Sequence, residues 1–135
     1  MSGPTAFPII ATATNTGTQT VATTAETVIA TLANINSRGS NYPINVTGRA
    51  VFAVNASTTA TVMRLRIGSA TGTIIGAAQT VQSGVAGDVS GADGGVAAQY
   101  TPAQEVAGLT IVLTIQATAA AANWSVTMAQ LIAQQ

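Results

Sequence analysis

The 135-residue chain has no cysteine, no histidine and no lysine, and only 6% of its residues are charged. Each absence removes a class of chemistry. Without cysteine there is neither a disulfide framework nor a thiolate metal site, which suits either redox compartment. Without histidine or cysteine there is no Ser-His-Asp triad, no Cys-His pair and no imidazole base. Without lysine there is no Schiff base and no phosphate-loop lysine. No stretch reaches the ~20 apolar residues of a membrane-spanning helix, so no membrane partner is expected. The start, "MSGPTAFPII", has no basic region followed by a long apolar run, so no signal peptide is expected. A chain of zero net charge also lacks the basic footprint that gives nucleic-acid affinity.

What is present is apolar and hydroxyl-rich. Hydrophobic residues make up 47% of the chain. Arg38, Arg49, Arg64 and Arg66 balance Glu26, Asp88, Asp93 and Glu105. A folded monomer of 13.4 kDa exposes roughly 6,500 Å². Eight charges on that area leave about one per 800 Å², which is what each partner buries in a standard interface. Ordinary soluble domains carry far more surface charge to stay dispersed. The composition predicts a subunit that covers itself by assembling.

Period-two alternation runs along the chain and predicts half-buried strands. "INVTGRAVFAV" places Ile44, Val46, Gly48, Ala50, Phe52 and Val54 on one face, against Asn45, Thr47 and Arg49. "TVMRLRIG" sets Thr61, Met63, Leu65 and Ile67 against Val62, Arg64 and Arg66. "GLTIVLTIQAT" sets Leu109, Ile111, Leu113 and Ile115 against Thr110, Val112, Thr114 and Gln116. "NWSVTMAQLI" sets Trp124, Val126 and Met128 against Ser125 and Thr127. Weaker strands are expected in "PIIATAT", "ETVIATL", "GTIIGAAQTV" and "GVAAQY". About eight short strands separated by "NTG", "SRGSN", "NAST" and "SATG" give the rhythm of a sandwich or barrel. The Ala-rich "ATAAAANW" reads as a turn into the last strand, being too short for a helix after a strong strand.

Two segments stand outside this pattern. In Met1 to Pro8, Pro4 and Pro8 bracket Phe7 and favour extended backbone, so the segment reads either as an arm laying Phe7 on a neighbour or as a frayed end. Ser83 to Ala97, "SGVAGDVSGADGGVA", reads as a long glycine-rich loop. Its Asp88 and Asp93 invite a calcium reading, but the spacing matches no calcium loop, and solvated aspartates are the simpler account. Glycoside chemistry needs two acids at a set separation. Glu26, Asp88, Asp93 and Glu105 are the candidates, and no aromatic residue neighbours the two loop aspartates in sequence. The sequons at Asn45, Asn55 and Asn123 are expected by chance where Asn, Ser and Thr abound. No enzyme activity, metal or cofactor is expected.

Arg64 and Arg66 are half of the chain's cations, two residues apart. In a strand they point the same way, opposite Met63, Leu65 and Ile67. They sit on a solvated outer face that discourages edge pairing, or they face a subunit or shell contact where arginine's fork pairs with carboxylate or carbonyl. The contact reading is favoured, because a chain so poor in charge has little reason to keep two idle cations together. Glu26 and Glu105 are the intrachain partners to consider first.

Taken together, "TQTVATTAETVIATL", "INVTGRAVFAVNASTTATVMRLRIGSATGTIIG", "GLTIVLTIQAT" and "NWSVTMAQLI" resemble small phage virion proteins with a single jelly roll, related in shape to tumour-necrosis-factor heads. The resemblance spans about Thr18 to Ile132 and is a pattern of strands and turns rather than a fixed signature. It implies an all-β jelly-roll sandwich, with residues 1–17 as N-terminal arm and first strand and 18–135 as a single domain. It also implies a homotrimeric structural virion protein on the capsid exterior, a decoration (cement) protein contacting the major capsid protein. A tail-fibre head or lectin-like receptor-binding module is the alternative. Phe7, Arg64 and Arg66 are the expected interface residues.

Overall fold

The computed structural model describes residues 9–17, 19–21, 25–39, 42–54, 61–81, 92–102, 105–117 and 124–135. Alternating apolar residues become nine strands: β1 (Ile9–Asn15), β2 (Gln19–Val21), β3 (Thr27–Arg38), β4 (Ile44–Val54), β5 (Thr61–Ile67), β6 (Ile74–Val81), β7 (Ala92–Tyr100), β8 (Glu105–Ala117) and β9 (Trp124–Gln134). There is no helix among the described residues.

The strands form two antiparallel sheets. Sheet A has the order β1-β9-β4-β7, and sheet B the order β3-β8-β5-β6. β2 also pairs with β9, and continues along it where β1 leaves off: Asn15 faces Ala129, and Gln19 faces Val126. β1 and β2 are therefore one interrupted strand, which makes eight strand positions. Every connection between consecutive positions crosses from one sheet to the other, except the β5–β6 hairpin. That is the jelly-roll sandwich. β1, the strand expected within residues 1–17, is an integral edge of sheet A. The segment Met1 to Pro8, including Phe7, lies outside the described residues, as do "NAST" and 118–123.

The core is the set of inward positions. Ile44, Val46 and Ala50 of β4 and Leu131 and Ala133 of β9 meet Met63 and Leu65 of β5 and Ile111, Leu113 and Ile115 of β8, all 1% exposed or less. Gly48 sits among them because a Cβ there would lie 2.9 Å from Leu113 Cδ1 and 3.2 Å from Val96 Cγ1.

Two expectations are corrected. Met128 does not share the buried face of Val126. The β4–β9 register shifts so that Val51 faces Met128 while Phe52 faces Val126, leaving Thr127 as an extra residue. One inserted residue flips the alternation, and the inward set becomes Val126, Ala129, Leu131 and Ala133. The second correction concerns the glycine-rich loop. β7 begins at Ala92 and pairs with β4 without a break, from Phe52↔Ala92 to Ile44↔Tyr100. Pairing with a well-formed strand overrides the low strand preference of Gly94 and Gly95. Asp93 therefore lies on a strand backbone opposite Val51, and Asp88 lies outside the described residues.

Candidate functional site

The paired arginines are the natural place to look for a site. β5 directs Met63 and Leu65 into the core and Arg64 and Arg66 onto the outer face of sheet B. Their register neighbours on β8 are Thr114 and Val112. Glu26, just before β3, reaches over β8 from the other side. Its carboxylate accepts from Arg64 Nη1 at 2.8 Å, from Arg66 Nη2 at 2.9 Å and from Arg66 Nε, and from the Thr114 hydroxyl at 2.8 Å. Arg66 thus holds it with two donors of one guanidinium, the side-on fork that lysine cannot make. Arg66 Nη1 donates onward to the Gly72 carbonyl at 2.6 Å, tying the β5–β6 hairpin to the cluster. Arg64 Nη1 also donates to Gln116 Oε1 at 2.8 Å.

This strap explains an otherwise odd burial. Val112 and Thr114 point outward from sheet B, yet are 2% and 0% exposed. No third layer lies there among the described residues. The long side chains of Arg64, Arg66 and Glu26 lie across the sheet and cover it, as amphipathic stems do.

The electrostatics follow from the geometry. Burial pushes the Glu26 pKa up, but the Arg66 and Thr114 hydrogen bonds and the two guanidinium charges outweigh it and leave the pKa lowered. The Glu26 hydrogen bond raises the pKa of Arg66, and burial opposes this only in part. A carboxylate held ionised by four donors is a poor general base, since its pKa sits far from neutral. The cluster carries one excess positive charge, and Arg64 keeps Nε and Nη2 without partners among the described residues. Of the two acids considered from sequence, Glu26 is the one brought to the pair. The Glu105 backbone faces Arg38, nine residues along β8 from Thr114, or roughly 30 Å of strand. Arg38 stacks on Tyr42, 4.0 Å from the ring centre.

Sequence reasoning missed a second feature. An open cleft of about 490 Å³ separates the β1–β2 edge of sheet A from the β3 edge of sheet B. Thr14, Asn15 and Gln19 line one wall, and Val28, Ile29 and Thr31 the other. The Gln19 amide donates across it to the Ile29 carbonyl, at 3.5 Å. No charged or aromatic side chain lines it among the described residues. Alternation places residues on faces, not at the gap between two sheets, so no sequence signal marks this cleft.

No protein-family model matches the sequence, and no curated protein does. Solved structures share its shape at low identity. The VP2 subviral particle of infectious bursal disease virus aligns with a TM-score of 0.53 at 12% identity, over 92% of this chain and 32% of that one. The Eiger TNF of S. frugiperda aligns at 0.50 and 13%, over 95% and 94%. The EclA C-terminal domain, a sugar-binding protein, aligns at 0.51 and 10%, over 87% and 78%. At such identities the likeness extends to the jelly-roll fold, which all share.

Proposed function

We propose that this chain is a structural virion protein of the phage type, a capsid decoration (cement) subunit. It self-associates as a homotrimer and docks on the major capsid protein from outside. The observation that carries this reading is the outer face of sheet A. Thr47, Arg49, Gln130, Ile132, Ala97 and Gln99 point outward there, and Arg49 is the one charge among them. The surface as a whole is 6804 Å² for eight charges, and three of those are consumed in the Glu26 cluster. A hydroxyl- and amide-rich face can be covered with Arg49 as the one charge of these six to desolvate or pair, so little opposes its burial. Repeated over symmetric sites, modest apolar burial at ~25 cal/mol per Å² offsets the entropy of docking. On sheet B, the spare donors of Arg64 supply one directional contact to a carboxylate or carbonyl of a partner.

The alternative, a lectin-like or fibre-head module, calls for a groove with an aromatic platform, and the cleft offers none among the described residues. Electron microscopy of the intact particle tests the choice. Density for this chain on the outer shell at symmetry-related sites is the expected result. Density confined to a fibre tip would overturn the decoration role.

A further inference from the structure

Sheet B turns a mixed face outward. On β5, Val62, Arg64 and Arg66 point away from the core, and Ile74 of β6 stands opposite Arg66 in the register, 44% exposed. Among the described residues it is the one large apolar side chain left exposed on this sheet. We propose that this face docks a protein segment that gives a carboxylate to Arg64 and an apolar side chain to Ile74. The proposal rests on the shell-docking reading above and names the chemistry of the partner.

Three observations carry it. The first is which donors of Arg64 are spare. Glu26 sits in the Nε and Nη2 fork of Arg66, and the same two donors of Arg64 have no partner among the described residues. That fork matches a carboxylate, as Arg66 demonstrates. The second is charge. Two guanidiniums share one carboxylate, and Glu26 is the one acid in ion-pair reach of either among the described residues. One further carboxylate makes the cluster neutral, whereas a phosphate dianion would leave it negative beside an apolar side chain. The third is that the face is already set. Glu26 and Gln116 hold Arg64 Nη1, both at 2.8 Å. Arg66 Nη1 holds the Gly72 carbonyl at 2.6 Å, and the Ile67 amide donates to the Thr73 carbonyl at 2.9 Å, which fixes the turn leading into Ile74. Little side-chain freedom is left to lose on docking.

Spacing sets the shape of the partner. Ile74 lies one strand across and two residues along from Arg64, or about 8 Å between backbones. A carboxylate and an apolar side chain from one short segment span that gap. This chain is a poor source of such a segment. Of its other acids, Asp88, Asp93 and Glu105, none has Leu, Ile, Met or an aromatic residue within two positions. The occupant is therefore a different protein, which under the reading above is the shell protein.

Proton–nitrogen spectra of the labelled full chain test this directly, because the chain has only four arginine Nε–H groups. The probe is hexanoate, a carboxylate with an apolar tail, added at fixed ionic strength to hold screening constant. Hexanamide, acetate and inorganic phosphate are the comparisons. Hexanoate should shift Arg64 Nε–H and the Ile74 amide together and saturably, binding about threefold or more tightly than acetate because part of its tail is buried. Hexanamide should leave Arg64 Nε–H unmoved. Ile74→Ser, an exposed change that leaves the cluster alone, should bring hexanoate down to the affinity of acetate. No saturable shift at Arg64, equal shifts at all four arginines, or tighter binding of phosphate than of hexanoate overturns the proposal. Light scattering on the same sample separates this face from the assembly. Hexanoate that dissolves the assembly in step with the Arg64 shift would seat a second copy here and also overturn the proposal. An assembly without binding at Arg64 refutes this face alone, whereas a monomer that binds hexanoate at Arg64 refutes the assembly and supports this face.

Discussion

Replacing Glu26 by Gln should unfasten the outer face of sheet B. The substitution keeps shape and one acceptor but removes the charge that Arg64 and Arg66 share. Their side chains are 20% and 16% exposed, and that of Glu26 is 11% exposed. Fully buried pairs lose about 3–5 kcal/mol when one partner goes, and exposed pairs about 0.2–1 kcal/mol. This cluster lies between, with two guanidiniums left side by side and the Thr114 hydroxyl facing a weaker acceptor. The expected cost is about 2–3 kcal/mol. For a chain of this size that lowers Tm by about 10 °C. Urea unfolding at fixed protein concentration should show a lower midpoint with an unchanged slope. In a double-mutant cycle, Glu26→Gln and Arg66→Ala should couple by more than ~1 kcal/mol. A loss below ~0.5 kcal/mol with no coupling would mean the cluster is solvated, and that Val112 and Thr114 owe their burial to something else.

Three further perturbations probe the same account. The lowered pKa of Glu26 means that its contribution to stability is fully present above the ordinary carboxylate value near 4.5 and is lost as pH falls through the lower folded value. Wild-type protein should therefore lose stability below about pH 4.5, and Glu26→Gln should flatten that acid limb in thermal melts. Gly48→Ala should destabilise by about 1–2 kcal/mol, since the new methyl enters 2.9 Å from Leu113 Cδ1. Unchanged unfolding would show that the β4–β8 packing yields. Thr61 is 0% exposed, and its hydroxyl has no partner among the described residues. Thr61→Val should stabilise by about 1 kcal/mol in the same urea assay, and a loss would reveal a partner for that hydroxyl.

The fold was legible where apolar and polar residues alternate along a strand without a break. "TVMRLRIG" and "GLTIVLTIQAT" gave their inward residues directly, because each alternates without interruption. Met128 misled because a one-residue bulge is set by pairing with β4, a contact between residues more than seventy positions apart. "GVAAQY" marks the second half of β7, but Ala92, Asp93 and Gly94 read as loop because glycine opposes a strand, and the partner that overrides this lies on β4. The arginine pair stood out by scarcity, and its orientation followed from period two. That Glu26 rather than Glu105 reaches it depends on which end of β3 overlies Thr114, a matter of register. The cleft arises from where two sheets end, and chain order alone does not place those edges.

The central claim is that this is a subunit whose charge-poor faces are covered by copies of itself. Multi-angle light scattering on purified protein at micromolar concentration tests it most directly. The account predicts an assembly, a trimer of 13.4-kDa chains in its fullest form. A monodisperse monomer at that concentration would contradict it.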